Sequence, residues 1–338
     1  MIDVEDFESV FPIGYPSAVV ENIRRNQQML GGKTFFERLL ETLHIKCELP
    51  YLHPWRKIYP PESDEKLLEL HKRIIDAPIT LHYKHCLFFY LLKDLSPSYH
   101  EEETELATAF ASNIHLEKRF WTFIEGIWAL DHRQYETAVG QLTHPSIIPT
   151  FPDEIMLALL KKVEDDPGKP SEEILPLAYY NCAKPPLVGE TVKKDFVKYM
   201  ADRNVTETYY WIRARPEYEH KALLEILIEE TLERRHWRGQ DEEVEYSRED
   251  KAMELVSLPF DEDEEKWIES FLTEGKGRNF KGAADTVLMR KIATGRLQEV
   301  AKDTSRGGKR LDGVNWDVLR DGVKKGLGPR KDEETFAV

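Results

Sequence analysis

Apolar positions recur at helical spacing from near the N-terminus to about residue 273, interrupted by short polar or proline-bearing connections. Residues 17–30 read as a first helix, stopped by the Gly31-Gly32 pair. Phe35, Leu39, Leu40 and Leu43 then mark 34–44 as a second. Residues 49–63, with four prolines among aromatics, read as an ordered loop. Ser63 caps a helix to residue 76, and after Pro78 another spans 79–94. Beyond a polar stretch at 96–105, residues 106–130 read as one long helix with Phe110, Ile114, Trp121, Ile124 and Trp128 on a broad common face. Asp131 followed by Gln134 has the spacing of a capping box, so a new helix is expected over 132–142. Trp121, Ile124, Trp128, Asp131, Tyr135, Ala138 and Leu142 are thereby expected to form the core and turn of a helical hairpin. Phe120 and Phe123 do not share the face of Trp121 and Trp128, so one of them is expected to meet a neighbouring helix or a partner.

The same grammar continues downstream. Prolines 145, 149 and 152 precede a helix over 153–163. Ser171 can cap 172–182, kinked at Pro176; further helices follow over 191–201, 206–213 (behind Asn204 and Glu207), 217–236, 247–257 and 261–273. No alternating β-branched run bounded by hairpin turns occurs, and no fixed-period repeat is present. The expected fold is all-α, an irregular α-solenoid or helical bundle with a flexible basic C-terminal tail. Three regions follow: a helical extension over 1–32, a helical body over 33–275, and a Gly-rich tail over 276–338 with short helices at 283–301 and 314–323.

Charge sharpens this division. The 338 residues carry a formal net charge of −15, yet residues 276–331 carry +9 and the first 275 carry −21. An acidic body repels phosphate at long range, which excludes a nucleic-acid binder over most of the surface. In the tail, Lys309 and Arg310, with Lys324, Lys325, Arg330 and Lys331, have the pattern of a bipartite nuclear localisation signal. The same cations suit contact with nucleic acid, and a solvated tail that neutralises the body is the competing reading. Val314, Trp316, Leu319 and Val323 make a small amphipathic patch. Trp316, Leu319 and Val323 are candidate anchors for a partner groove, with folding back onto the chain's own body as the alternative.

Chemistry is sparse. No phosphate-cradling loop, nucleophile elbow or zincin motif occurs. His82 and His85 share a helix face beside Cys86, with His71 upstream, but a closed metal site needs four convergent ligands and the rest are not apparent. Acidic pairs such as Glu172-Glu173 sit at helix starts, where they favour the helix dipole and stay solvated. Three cysteines without a CxxC pair suit a reducing compartment. The N-terminus lacks the features of a secretory signal, and the apolar run from Cys86 to Leu92 is too short to span a bilayer. No enzyme activity, cofactor, metal, membrane span or small-molecule substrate is expected. The expected task is binding other proteins.

Residues 120–160, FWTFIEGIWALDHRQYETAVGQLTHPSIIPTFPDEIMLALL, are similar to the helical ELYS-like domain of nuclear pore assembly proteins. Trp128-Ala-Leu-Asp131 at the hairpin turn, Tyr135 and Ala138 in the next helix, and Leu142 followed by Pro145 at its exit carry the resemblance, which extends more loosely over 33–275. The resemblance implies a subunit of the Y-shaped scaffold complex of the nuclear pore, bound to short-arm nucleoporins at the nuclear envelope. It also implies a part in pore assembly and in nucleocytoplasmic transport of mRNA and protein. The larger animal members add a β-propeller and a chromatin-binding tail with AT-hooks. Here helices start almost at once and Gly328-Pro329-Arg330 has the wrong order for a hook, so the short fungal form is expected, with a nucleic-acid or chromatin adaptor acting through the basic tail as the alternative.

Overall fold

The computed structural model describes residues 3–45, 58–98, 105–165, 170–233, 248–296 and 300, and every regular element among them is helical. None of these helices is long and apolar enough to cross a membrane. The chain divides into two units, Met1–Val188 and Gly189–Val338.

The first unit contains α1 (Phe7–Val10), α2 (Ser17–Met29), α3 (Phe35–Thr42), α4 (Asp64–Asp76), α5 (Leu81–Leu95), α6 (Leu106–Asn113), α7 (Lys118–Asp131), α8 (Tyr135–Leu142), α9 (Pro152–Asp165), α10 (Pro170–Glu173) and α11 (Leu175–Ala183). Its centre is α5, whose run from Leu87 to Leu92 is fully buried. A helix that is apolar all round must be covered all round, and α4, α6 and α7 pack around α5. The α7–α8 hairpin extends this core to α11, which also contacts α9. Gly126 is where the hairpin closes: a Cβ there would lie 2.6 Å from Cγ of Leu142.

Several predicted elements are realised with their caps. Ser63 accepts the Lys66 N–H at the start of α4. Gly31 and Gly32, at φ +81° and +89°, end α2, with the Gly32 N–H donating to the Gln27 carbonyl at 2.7 Å. Three expectations fail for identifiable reasons. The long helix over 106–130 is two helices, because His115 turns left-handed (φ +53°) and the Leu116 N–H closes back on the Ala111 carbonyl at 2.9 Å. That C-terminal motif usually announces itself with glycine; here a histidine fills it. Pro176 does not kink a helix but sits in the first turn of α11, where its missing N–H has no intrahelical partner to lose. Asp131 does not cap α8: α7 runs through it, Arg133 (φ +60°) makes the turn, and the Asp131 carboxylate serves another helix.

The second unit contains α12 (Glu190–Ala201), α13 (Val205–Arg213), α14 (Glu217–Leu232), α15 (Arg248–Ser257), α16 (Glu262–Thr273) and α17 (Ala283–Ala293). The first three pack on one another, α15 packs on α13 and α14, and α17 packs on α15 and α16. Asp261 and Glu264 form a reciprocal capping box at the start of α16. Residues 276–296, read from sequence as the start of the tail, are tied into this unit. Arg290 donates from Nε and Nη2 to Glu265 at 3.0 and 2.9 Å, Arg296 reaches Glu265 and Glu269 at 2.7 and 2.8 Å, and Lys291 pairs with Glu269 at 2.8 Å. The glycines at 275, 277 and 282 are turns within a packed segment, not the beginning of an unstructured one.

Candidate partner-docking groove

Two buried carboxylates fix the frame on which the groove is built. Asp131 accepts the backbone N–H groups of Phe35 and Phe36 at 2.7 and 2.9 Å and the Tyr90 hydroxyl at 2.7 Å. Thr34 and Glu37 complete a capping box on the same helix. The N–H groups that open α3 are therefore met by one carboxylate from α7 and by the local box. Asp94 accepts the hydroxyls of Tyr15 and Tyr59 at 3.0 and 2.6 Å and the Trp128 indole N–H at 2.8 Å. Burial raises both acids to about 7, opposed by the donors aimed at them. Burial also holds His132, stacked on Trp128 at 4.0 Å, below its ordinary value. Asp94 and Asp131 are each 3% exposed, so the donors around them, and not solvent, are their partners. The network ties α3, α5 and α7 together.

Of the expected hairpin residues, Ile124, Asp131, Tyr135, Ala138 and Leu142 are buried, whereas Trp121 and Trp128 are half-buried. Trp121 leans on Phe89 at 5.5 Å and carries Lys118 over its outer face. The core side of α7 uses small and aliphatic residues instead (Gly126, Ile127, Ala129, Leu130), which permits the close approach of α8.

Phe120 and Phe123 turn to a different neighbour. With Tyr83 and His82 of α5, Leu39 and Leu43 from α3 and its end, and Ile147 and Ile148 from the α8–α9 connection, they line an open groove of about 470 Å³. Cys86, Leu87 and Ile124 form its buried floor; burial pushes the Cys86 thiol up to about 12, leaving it an apolar group. Phe120 stacks on His82 at 5.7 Å and meets Tyr83 at 6.4 Å edge-on. Ile148 is 82% exposed, and Leu81 and Tyr83, one turn of α5 from the floor, are 54% and 43% exposed. Large apolar side chains clustered on a surface mark a contact site more often than a solvated one. The lining contains no carboxylate and one cation, Arg119, which lies 4.7 Å over the Phe120 ring.

The imidazoles weighed as metal ligands have other roles. His71 meets the Val4 carbonyl at 2.9 Å among Phe7, Phe11 and Phe88; His82 stacks in the groove; His85 abuts Phe110. Among the described residues no group of three or more His, Cys, Asp and Glu is placed to hold a metal. The tail candidates Trp316, Leu319 and Val323, and Lys309, Arg310, Lys324, Lys325, Arg330 and Lys331, lie outside the described residues. Leu81, Ile147 and Ile148 were not singled out from sequence. The available signal was an apolar pair, Ile147-Ile148, stranded between Pro145 and Pro149 with no helix to bury it.

The profile of the ELYS family, described as nuclear pore complex assembly, matches residues 33–275. The chain belongs to the ELYS family. The match covers most of the first unit and the second as far as the end of α16. The chain is also 29% identical over 146 residues to the uncharacterized protein ely5 of Schizosaccharomyces pombe, a match covering 43% of this chain and 44% of that protein. It thus spans under half the length of that curated relative.

Proposed function

We propose that this ELYS-family chain is a structural, non-catalytic nucleoporin that joins the Y-shaped complex of the pore by binding its short-arm subunits. In this role it supports pore assembly and nucleocytoplasmic transport of mRNA and protein from the nuclear envelope. The family match over 33–275 carries the proposal. The groove lined by Phe120, Phe123, Tyr83 and Ile148 supports it with a place for a partner to bind. A helix is the occupant that fits, because apolar side chains one turn apart (Phe120 and Phe123) pair with i, i+4 anchors of a second helix. Acidic residues flanking those anchors would meet Arg119 on a rim without carboxylates.

The tail remains a second proposed contact through Trp316, Leu319 and Val323, with Lys309, Arg310, Lys324, Lys325, Arg330 and Lys331 as a proposed nuclear localisation signal. Its use as a nucleic-acid adaptor is less favoured. Arg290, Lys291 and Arg296, three of the cations that gave it its charge, are committed to Glu265 and Glu269.

The test is affinity purification of the tagged full chain from cells, beside the F120D/F123D variant, with each preparation's melting temperature recorded. Short-arm nucleoporins recovered with the parent chain and depleted from an equally stable variant are the expected result. Equal recovery with both would remove the groove from the proposal, and recovery of no pore subunit by either would overturn the function.

A further inference from the structure

A second concavity in the first unit has the opposite character. It measures about 260 Å³ and lies between the end of α2, the start of α3, the α7–α8 turn and α9. In a body carrying −21, this cleft gathers five cations, Lys33, Arg38, Arg133, Lys161 and Lys162, against two carboxylates, Glu154 and Asp165. Two of the five are matched: Lys33 pairs with Glu41, and Lys162 lies 3.0 Å from Glu172. Of the other three, only Arg38 has a carboxylate within 4.0 Å among the described residues. Arg38 has its nearest, Glu154, at 3.8 Å, and its buried Nε has no hydrogen-bond partner. Arg133 directs Nη1 at the Met29 sulfur, 2.8 Å away. Lys161 reaches only the Met29 carbonyl, at 3.3 Å.

Carboxylates outnumber cations over the first 275 residues, so three cations converged on one cleft with no carboxylate closer than 3.8 Å stand out. A buried guanidinium N–H without an acceptor costs free energy that a ligand's oxygen would recover. Guanidinium groups take carboxylates through paired N–H donors, and a lysine beside them adds a point charge. Beneath the cations the cleft is apolar, with Phe35 and Leu157 in its wall. We propose that this cleft binds an acidic peptide segment of a partner protein, with two or more Asp or Glu carboxylates around one aliphatic side chain. The aliphatic side chain rests on Phe35 and Leu157, and the carboxylates engage Arg38, Arg133 and Lys161. Nucleic acid is a poorer occupant, because the acidic surface surrounding so small a cleft repels an extended phosphate backbone. The site is separate from the aromatic groove and does not depend on which pore subunit occupies that groove.

The test uses the full chain and three fluorescein-labelled probes read by anisotropy: the octapeptide EELEEDLE, its all-lysine counterpart KKLKKKLK, and a 20-nucleotide single-stranded DNA. Binding of the acidic octapeptide alone is expected, weakening as salt is raised. Arg38→Gln combined with Lys161→Gln should weaken it about tenfold or more, whereas Lys194→Gln, on α12, should leave it unchanged. Amide exchange on the parent chain supplies a second readout, independent of the double variant's stability. Added peptide should protect residues 29–38 and 154–165. No binding, equal binding of the lysine probe, DNA binding lost in the double variant without peptide binding, or peptide protection confined to other segments would each overturn the proposal.

Discussion

Replacing Asp131 by Ala removes the acceptor for three buried donors at once: the N–H groups of Phe35 and Phe36 and the Tyr90 hydroxyl. Each buried donor left without a partner costs about 1–3 kcal/mol, and loss of an N-terminal cap about 0.5–2 kcal/mol. Part of this is returned, because the carboxylate is itself held at a cost by burial that raises it to about 7. The net destabilisation expected is roughly 3–5 kcal/mol, in the range found when one partner of a buried charged network is deleted. Asp131→Asn, which keeps one acceptor oxygen but turns an NH2 toward the remaining donors, should cost roughly half as much. Urea unfolding gives the total, and native-state amide exchange at Phe35 and Phe36 locates it. Destabilisation under about 1 kcal/mol for Asp131→Ala, with those two amides as protected as before, would refute the assignment of Asp131 as the partner of α3.

The buried acids also set a pH dependence. Asp94 and Asp131 sit at about 7 when folded, above the ordinary carboxylate value near 4, so the folded chain holds extra protons between these limits and their contribution to stability falls as pH rises through 7. Burial holds His71, His85 and His132 low, which pushes the other way below about pH 6.5. The carboxylate effect is therefore read by difference: Asp94→Asn should remove about 1.4 kcal/mol of slope per pH unit between pH 5 and 7, and superimposable profiles would contradict it. Gly126→Val should destabilise by about 1–3 kcal/mol in urea unfolding, because its side chain would enter the space held by Leu142. Truncation after Gly275 should lower the melting temperature of the second unit, since α17 and its ion pairs are lost; an unchanged melting temperature would argue against α17 as part of that unit.

Helix positions were legible because amphipathic spacing and local caps are encoded within a few residues: Ser63, the Gly31-Gly32 stop and the Asn204 cap of α13 all operate where they stand. What was not legible depends on partners distant in sequence. Asp131 has the spacing of a local cap, yet it caps a helix 95 and 96 residues away in the chain. His115 adopts a conformation that glycine usually signals. Residues 276–296 resemble the glycine-rich, basic tail by composition, but Glu265 and Glu269, spaced one turn apart on α16, convert three of their cations into anchors. The groove was half legible. Phe120 and Phe123 fell off the common face of their helix, but only the fold brings Tyr83, His82 and Ile148 to the same place.

The central claim is that this ELYS-family chain works at the nuclear pore. The most direct measurement is the cellular position of the fluorescently tagged full chain, imaged with a marked Y-complex subunit. A punctate nuclear rim coincident with that subunit, retained when nuclei are washed free of soluble protein, is the expected result. Fluorescence spread through the cytoplasm and nucleoplasm, with no enrichment at the rim, would contradict it.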